Sequence, residues 1–159
     1  MAKDGTIKVT GLKELEKNLR ALQKEYGGKA APQAMRPAIK AAITPLKALV
    51  EDDTPVDGGW LLKSVKQTIS KPTRAMKASN PNLYKDTTIL AGRVGYFGKN
   101  VIRRAVFMEY GTRDIAANHT LERVFDREAK GMANRFKSAL GPAIEKKAKA
   151  LNKKRNKGG

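Results

Sequence analysis

The sequence has no cysteine and one histidine, His119, in 159 residues. A disulfide framework is therefore excluded, and so is a zinc site built on thiolates or on two imidazoles. The protein does not depend on an oxidising compartment. No apolar run is long enough to span a bilayer, and the polar segment from Met1 to Lys8 lacks the apolar stretch of a signal peptide. The expectation is a protein made and used in the cytoplasm, with no membrane partner. Acidic residues are scarce as well: 15 Asp and Glu stand against 33 Lys and Arg, a net charge of +18.

That excess is uneven. Residues 1–53 carry 10 basic and 7 acidic side chains, residues 54–121 carry 11 and 4, and residues 122–159 carry 12 and 4. A field of this size attracts nucleic acid or acidic protein surfaces. Solubility alone is the plainer reading. Charge decides neither fold nor partner.

Hydrophobic spacing gives the elements. Residues 6–9 read as a short extended arm. Leu12, Leu15, Leu19 and Leu22 recur at spacings of three and four, one apolar stripe of a helix, which Gly27 and Gly28 end. A second helix is expected over about residues 32–52, starting late or kinking near Pro45, because Pro37 and Pro45 each remove a backbone donor. Thr54 to Gly59 is a turn. Val65, Gln67 and Ile69 alternate as a strand; residues 71–86 read as a loop; Thr87 to Val94 read as a second strand closed by Gly95; Arg104 to Tyr110 read as a third. Leu121, Val124, Phe125, Met132, Phe136 and Leu140 mark a last long helix, capped by Thr120 or Asn118 and interrupted at Gly141-Pro142, with a short helical piece to Leu151 after it. The order predicts an α+β fold: a small antiparallel sheet of three to four strands packed against two or three helices, with a long C-terminal helix. Residues 1–151 form one domain and residues 152–159 a basic tail, disordered in isolation, whose Lys153, Lys154, Arg155 and Lys157 are candidate contacts for DNA or an acidic partner.

Catalytic constellations do not assemble. His119 has no second imidazole or thiolate, and Ser64 sits in Leu-Lys-Ser-Val rather than in a nucleophile elbow. Glu51, Asp52, Asp53 and Asp57 fail as a calcium loop, since Pro55 and Ser64 occupy positions that need an acceptor and a Glu. Gly92-Arg-Val-Gly95 is too short for a dinucleotide loop. Tyr84, Tyr96, Phe97 and Tyr110 can stack on bases, yet their spacing fits sheet core or interface. No catalytic, metal or cofactor site is expected, and the chain reads as a non-enzyme.

Four runs carry a resemblance: Gly11-Leu12-Lys13-Glu14-Leu15; Thr54-Pro55-Val56-Asp57-Gly58-Gly59-Trp60-Leu61-Leu62-Lys63-Ser64-Val65; Val94-Gly95-Tyr96; and Phe107-Met108-Glu109-Tyr110-Gly111-Thr112. In this order they resemble the tail-completion, or head–tail joining, family of long-tailed bacteriophages. Ala117-Asn118-His119-Thr120-Leu121 stands where that family shows Ala and then Pro-Phe-Leu, and Gly58-Gly59 carries one residue more than its pattern. The resemblance implies a virion protein of the neck, assembled in the host cytoplasm into a ring of six identical subunits around the DNA path. Its partners would be itself, the head-closure or connector proteins and the tail tube or terminator. The family-motif residues Pro55, Gly58, Gly59, Leu61, Ser64, Glu109, Tyr110, Gly111 and Thr112 become interface candidates. Two other readings stand beside it: a tail-terminator or head-closure subunit of the same neck, and a small basic DNA-binding protein. From the residues alone, Gly111 should leave its element with positive φ, Thr112 should bond the turn backbone, and Glu109 and Tyr110 should point to opposite faces.

Overall fold

A computed structural model describes residues 12–56 and 59–157. Helix α1 spans Leu12–Tyr26, α2 Ala30–Asp53, and the single turn α3 Trp60–Lys63. Strand β1 is Val65–Ser70, α4 Arg74–Ser79, and strand β2 Ala91–Tyr96. Helices α5, Ile102–Tyr110, and α6, Thr120–Arg155, complete the order. The extended segment expected at residues 6–9 lies outside the described residues, as do Gly11, Asp57, Gly58, Gly158 and Gly159.

The frame is α2 against α6. Ala30, Ala34, Ala38 and Ala42 recur every fourth residue on α2 and are all buried. Small side chains on one stripe let the second helix come close. Leu15, Leu19, Leu22 and Tyr26 of α1 then pack on Leu140 and Ile144 of α6, so α1 covers one end of the pair. The two strands cover its middle. They are antiparallel, from Val65 opposite Tyr96 to Ser70 opposite Ala91. Val65, Val94 and Tyr96 pack with Leu46, Val50 and Val124, while Ile69 and Val94 pack around Ile39 and Ile43. Gly92 is what lets β2 lie on α2: a Cβ there would stand 2.5 Å from Ile39 Cγ2 and 3.3 Å from Ile43.

The structure is α+β with a long last helix, but its sheet has two strands among the described residues, not three or four. Residues 104–110 are the helix α5. Ala105 and Glu109 are its buried positions, four apart, which is a helical spacing. The adjacent Val106 and Phe107 gave the run its strand-like look. The second strand begins at Ala91 and runs through Gly95 to Tyr96. The expected loop at residues 71–86 contains α4, whose N-cap Thr73 accepts a bond from Met76 N.

Prolines interrupt neither long helix. Pro37 and Pro45 lie inside α2 and Pro142 inside α6. Each leaves one carbonyl four residues earlier without its amide partner. Those carbonyls belong to Gln33, Ala41 and Ser138, all exposed, where water can take the bond. Leu140 and Ile144, on either side of Pro142, are both buried in one apolar cluster, which holds the helix together across it.

Candidate assembly surface

Glu109-Tyr110-Gly111-Thr112 forms the joint between α5 and α6. Gly111 ends α5 with φ 75° and ψ 177°. The chain loops through residues 112–119 and returns onto α5: Asn118 N donates to Met108 O at 2.7 Å and His119 N to Glu109 O at 3.2 Å. Thr112 Oγ1 accepts from Asp114 N at 3.3 Å and Ile115 N at 3.1 Å, as expected for a turn threonine. A Cβ on Gly111 would meet Ile115 O at 2.8 Å and Ala117 N at 2.9 Å, so the loop closes over the space a side chain would need.

Glu109 then does for α6 what neither Thr120 nor Asn118 does. The N-cap is His119, in the left-handed region at φ 50°, with no side-chain bond of its own to the helix. The two carboxylate oxygens of Glu109 accept from Leu121 N at 3.1 Å and Glu122 N at 3.0 Å. A buried carboxylate bonding the free amides at a helix start is a charge-assisted cap. His119 Nδ1 lies 3.1 Å from Glu122, on the surface.

The neighbouring residue faces the other way. Glu109 is buried while Tyr110 is 72% exposed. Ile102, Val106 and Tyr110 stand four apart on α5, an apolar stripe on a single face of the helix, and all three are exposed. Phe107 beside them is part-covered by the Arg103 guanidinium, 5.6 Å from its ring centroid. Phe125, 43% exposed, continues the patch on α6. Under Tyr110 a groove of about 410 Å³ is floored by Leu46, Val50, Val94 and Leu121, and walled by Tyr110, Phe125, Glu109, Glu122 and Asp126. Contiguous exposed apolar side chains with a polar rim mark a protein contact surface.

Residues of the proline-to-glycine run serve the fold. Leu61 and Ser64 are buried; Ser64 Oγ donates to Leu61 O at 2.6 Å, and Ser64 O accepts from Phe97 N at 2.9 Å. Gly59, at φ 67°, is the N-cap of α3. Pro55 is exposed, after the buried Thr54. Arg104 of α5 stacks on Trp60 at 4.7 Å, tying the two short helices together. Thr54 Oγ1 meets Tyr96 Oη at 2.9 Å; burial pushes the Tyr96 phenol above its ordinary pKa, and this hydrogen bond opposes the shift.

The basic end is not a separate tail. Lys153, Lys154 and Arg155 lie in the last turn of α6, and Lys157 follows in a turn. Tyr26 Oη donates to Asn152, and Arg155 reaches Glu25 at 3.3 Å with its guanidinium 5.7 Å from the Tyr26 ring. The α1 helix thus supplies the partners that the sequence of this end lacks. Asp53 of the acidic run pairs with Arg123 at 3.2 Å. Among the described residues no three His, Asp or Glu side chains are placed to hold a metal ion, and no helix is long and apolar enough to cross a membrane.

Sequence reasoning missed Ile102, Val106, Glu122, Phe125 and Asp126 as surface residues. The signal for Ile102 and Val106 was the four-residue spacing of positions 102, 106 and 110, which a strand reading of 104–110 hides; Glu122, Phe125 and Asp126 join the surface only through the packing of α6 beside α5. Comparison of the chain with protein-family models, with curated proteins and with solved structures found no match.

Proposed function

We propose that this chain is a structural virion protein of a tailed phage: a tail-completion or head–tail joining subunit. It forms a ring, most simply of six copies, in the neck between the head connector and the tail tube, with the genome DNA passing through the lumen. The observation that carries this reading is the unpartnered apolar stripe of α5. The Phe107-Met108-Glu109-Tyr110-Gly111-Thr112 run that underlies the resemblance supplies its last residue: Glu109 and Gly111 fix the joint, and Tyr110 is presented outward. A subunit of a ring needs such a surface, because each copy must bury part of itself against its neighbours. The charge of +18 suits a lumen that faces DNA or a neighbouring ring that is acidic.

Replacing Val106 and Tyr110 together by Asp tests this. Both side chains are exposed, so the isolated subunit is expected to melt within a few degrees of the unmodified protein. In a complementation assay, heads and tails are expected to accumulate separately. Tailed, infectious particles at the normal level would overturn the reading.

A further inference from the structure

Charge is segregated along this chain in a way that its total conceals. Residues 46–56 and 105–128, which meet around the groove, carry eight carboxylates and four Lys or Arg. Residues 59–104 carry ten cations and one carboxylate, Asp86. The groove itself is walled by Glu109, Glu122 and Asp126 with no cation, and Asp126 has no basic partner among the described residues. A strongly basic molecule thus holds an apolar groove whose rim is acidic. Its natural occupant is an apolar side chain flanked by cations.

The same chain carries one at the far end of its sheet. The connection between β1 and β2 runs from Lys71 to Leu90, far longer than a hairpin needs. It contains Lys71, Arg74, Lys77 and Lys85, of which, among the described residues, only Lys77 has an acidic partner, Asp86 at 3.7 Å. Leu83 sits in the turn after α4 and is 69% exposed. This connection leaves the sheet at the Ser70–Ala91 end, whereas Val94 and Tyr96, near the groove, lie toward the other. Six paired residues at ~3.3 Å each separate the two ends by roughly 17–20 Å. The groove and the Leu83 turn therefore lie at different places on one molecule, the turn beyond the Ser70–Ala91 end of the sheet and the groove against Val94.

We propose that the groove under Tyr110 receives the Leu83 turn of a second copy of this chain, with Lys85 and Arg74 of that copy meeting Asp126 and Glu122. This rests on the ring reading above and gives it a contact. The contact is head-to-tail, because the groove and the turn are different surfaces of each copy, and a repeated contact of that kind closes into a ring when its rotation allows. Opposite charge sets the register and rejects groove against groove or turn against turn, since like charges brought together repel.

The absence of cysteine makes the test clean. Two single variants are prepared, Phe125→Cys and Leu83→Cys, one of them isotopically labelled. They are mixed at high concentration and low salt and oxidised, and the disulfide dimers are weighed. Both positions are exposed, so neither variant is expected to unfold. Mixed dimers are expected to exceed the two homodimers together by several-fold. Adding Asp126→Lys to the Phe125→Cys variant is expected to lower the mixed dimer by roughly tenfold. Adding Lys85→Glu to the Leu83→Cys partner as well is expected to restore it. Homodimers equal to or above the mixed species would overturn the contact, and so would an Asp126→Lys variant that cross-links normally. Virion necks that still hold a ring in that case would leave the ring reading standing, with its interface elsewhere.

Discussion

Gly111 is the residue on which the joint between α5 and α6 turns. Its φ of 75° lies where a side chain is disfavoured, and backbone atoms of Ile115 and Ala117 occupy the space a Cβ would take. Gly111→Val is expected to cost at least ~1–3 kcal/mol from the backbone strain alone, and more as the loop is pushed open. His119 touches α5 through its backbone amide alone, and its exposed side chain makes only a surface contact to Glu122. His119→Ala is expected to cost less than ~1 kcal/mol. Urea unfolding of the two variants compares them directly, and equal losses would contradict the joint described here. Much of this joint was legible in the sequence. Glycine after an aromatic, followed by threonine, announces a positive φ and a hydroxyl-bonded turn, and both are present. That Glu109 and Tyr110 face different ways was legible too, because neighbouring positions diverge in a helix as they do in a strand; that the carboxylate is the buried one and the phenol the exposed one was not. That Glu109 caps α6 was not legible: its partners, Leu121 and Glu122, are twelve and thirteen residues away, and only the folded loop brings them back.

Among the elements, the two long helices show where local propensity loses to packing. A Gly-Pro pair costs a helix interior up to about 4 kcal/mol by propensity alone, which is why an interruption at Gly141-Pro142 was expected. Leu140 and Ile144, both buried against α1 and α2, favour one continuous helix across it, and the freed carbonyl of Ser138 can turn to water. Pro142→Ala is therefore expected to stabilise the protein by ~1–3 kcal/mol, with Tm rising by roughly 3–10 °C. A fall in Tm would mean that the helix depends on the proline's rigid geometry. The leucine stripe of α1 and the alternation of β1 were readable because each repeats over enough residues to show its period. The nine residues of α5 are too few for that, and Val106-Phe107 at its centre mimics a strand. The sheet lost its third strand for this reason.

At the scale of the whole molecule, the groove could not be read from sequence. Its walls come from α2, β2, α5 and α6, four segments spread over residues 46–126. Sequence did carry the net charge and its growth toward the C-terminus. It did not carry the sorting of carboxylates to one end, because residues 46–56 and 105–128 become neighbours only in the fold. The basic end changes meaning in the same way: α1 offers Glu25 and Tyr26 to Arg155, so this end is docked within a single subunit. What remains free on it is a row of lysines, suited to a surface that faces DNA or an acidic ring. The central claim is that copies of this chain surround the DNA path as a ring. Native mass spectrometry of necks released from purified particles tests it most directly. The expected result is a single species holding six copies, each in contact with two others by cross-linking; a single copy per neck, or particles that lack the chain altogether, would contradict it.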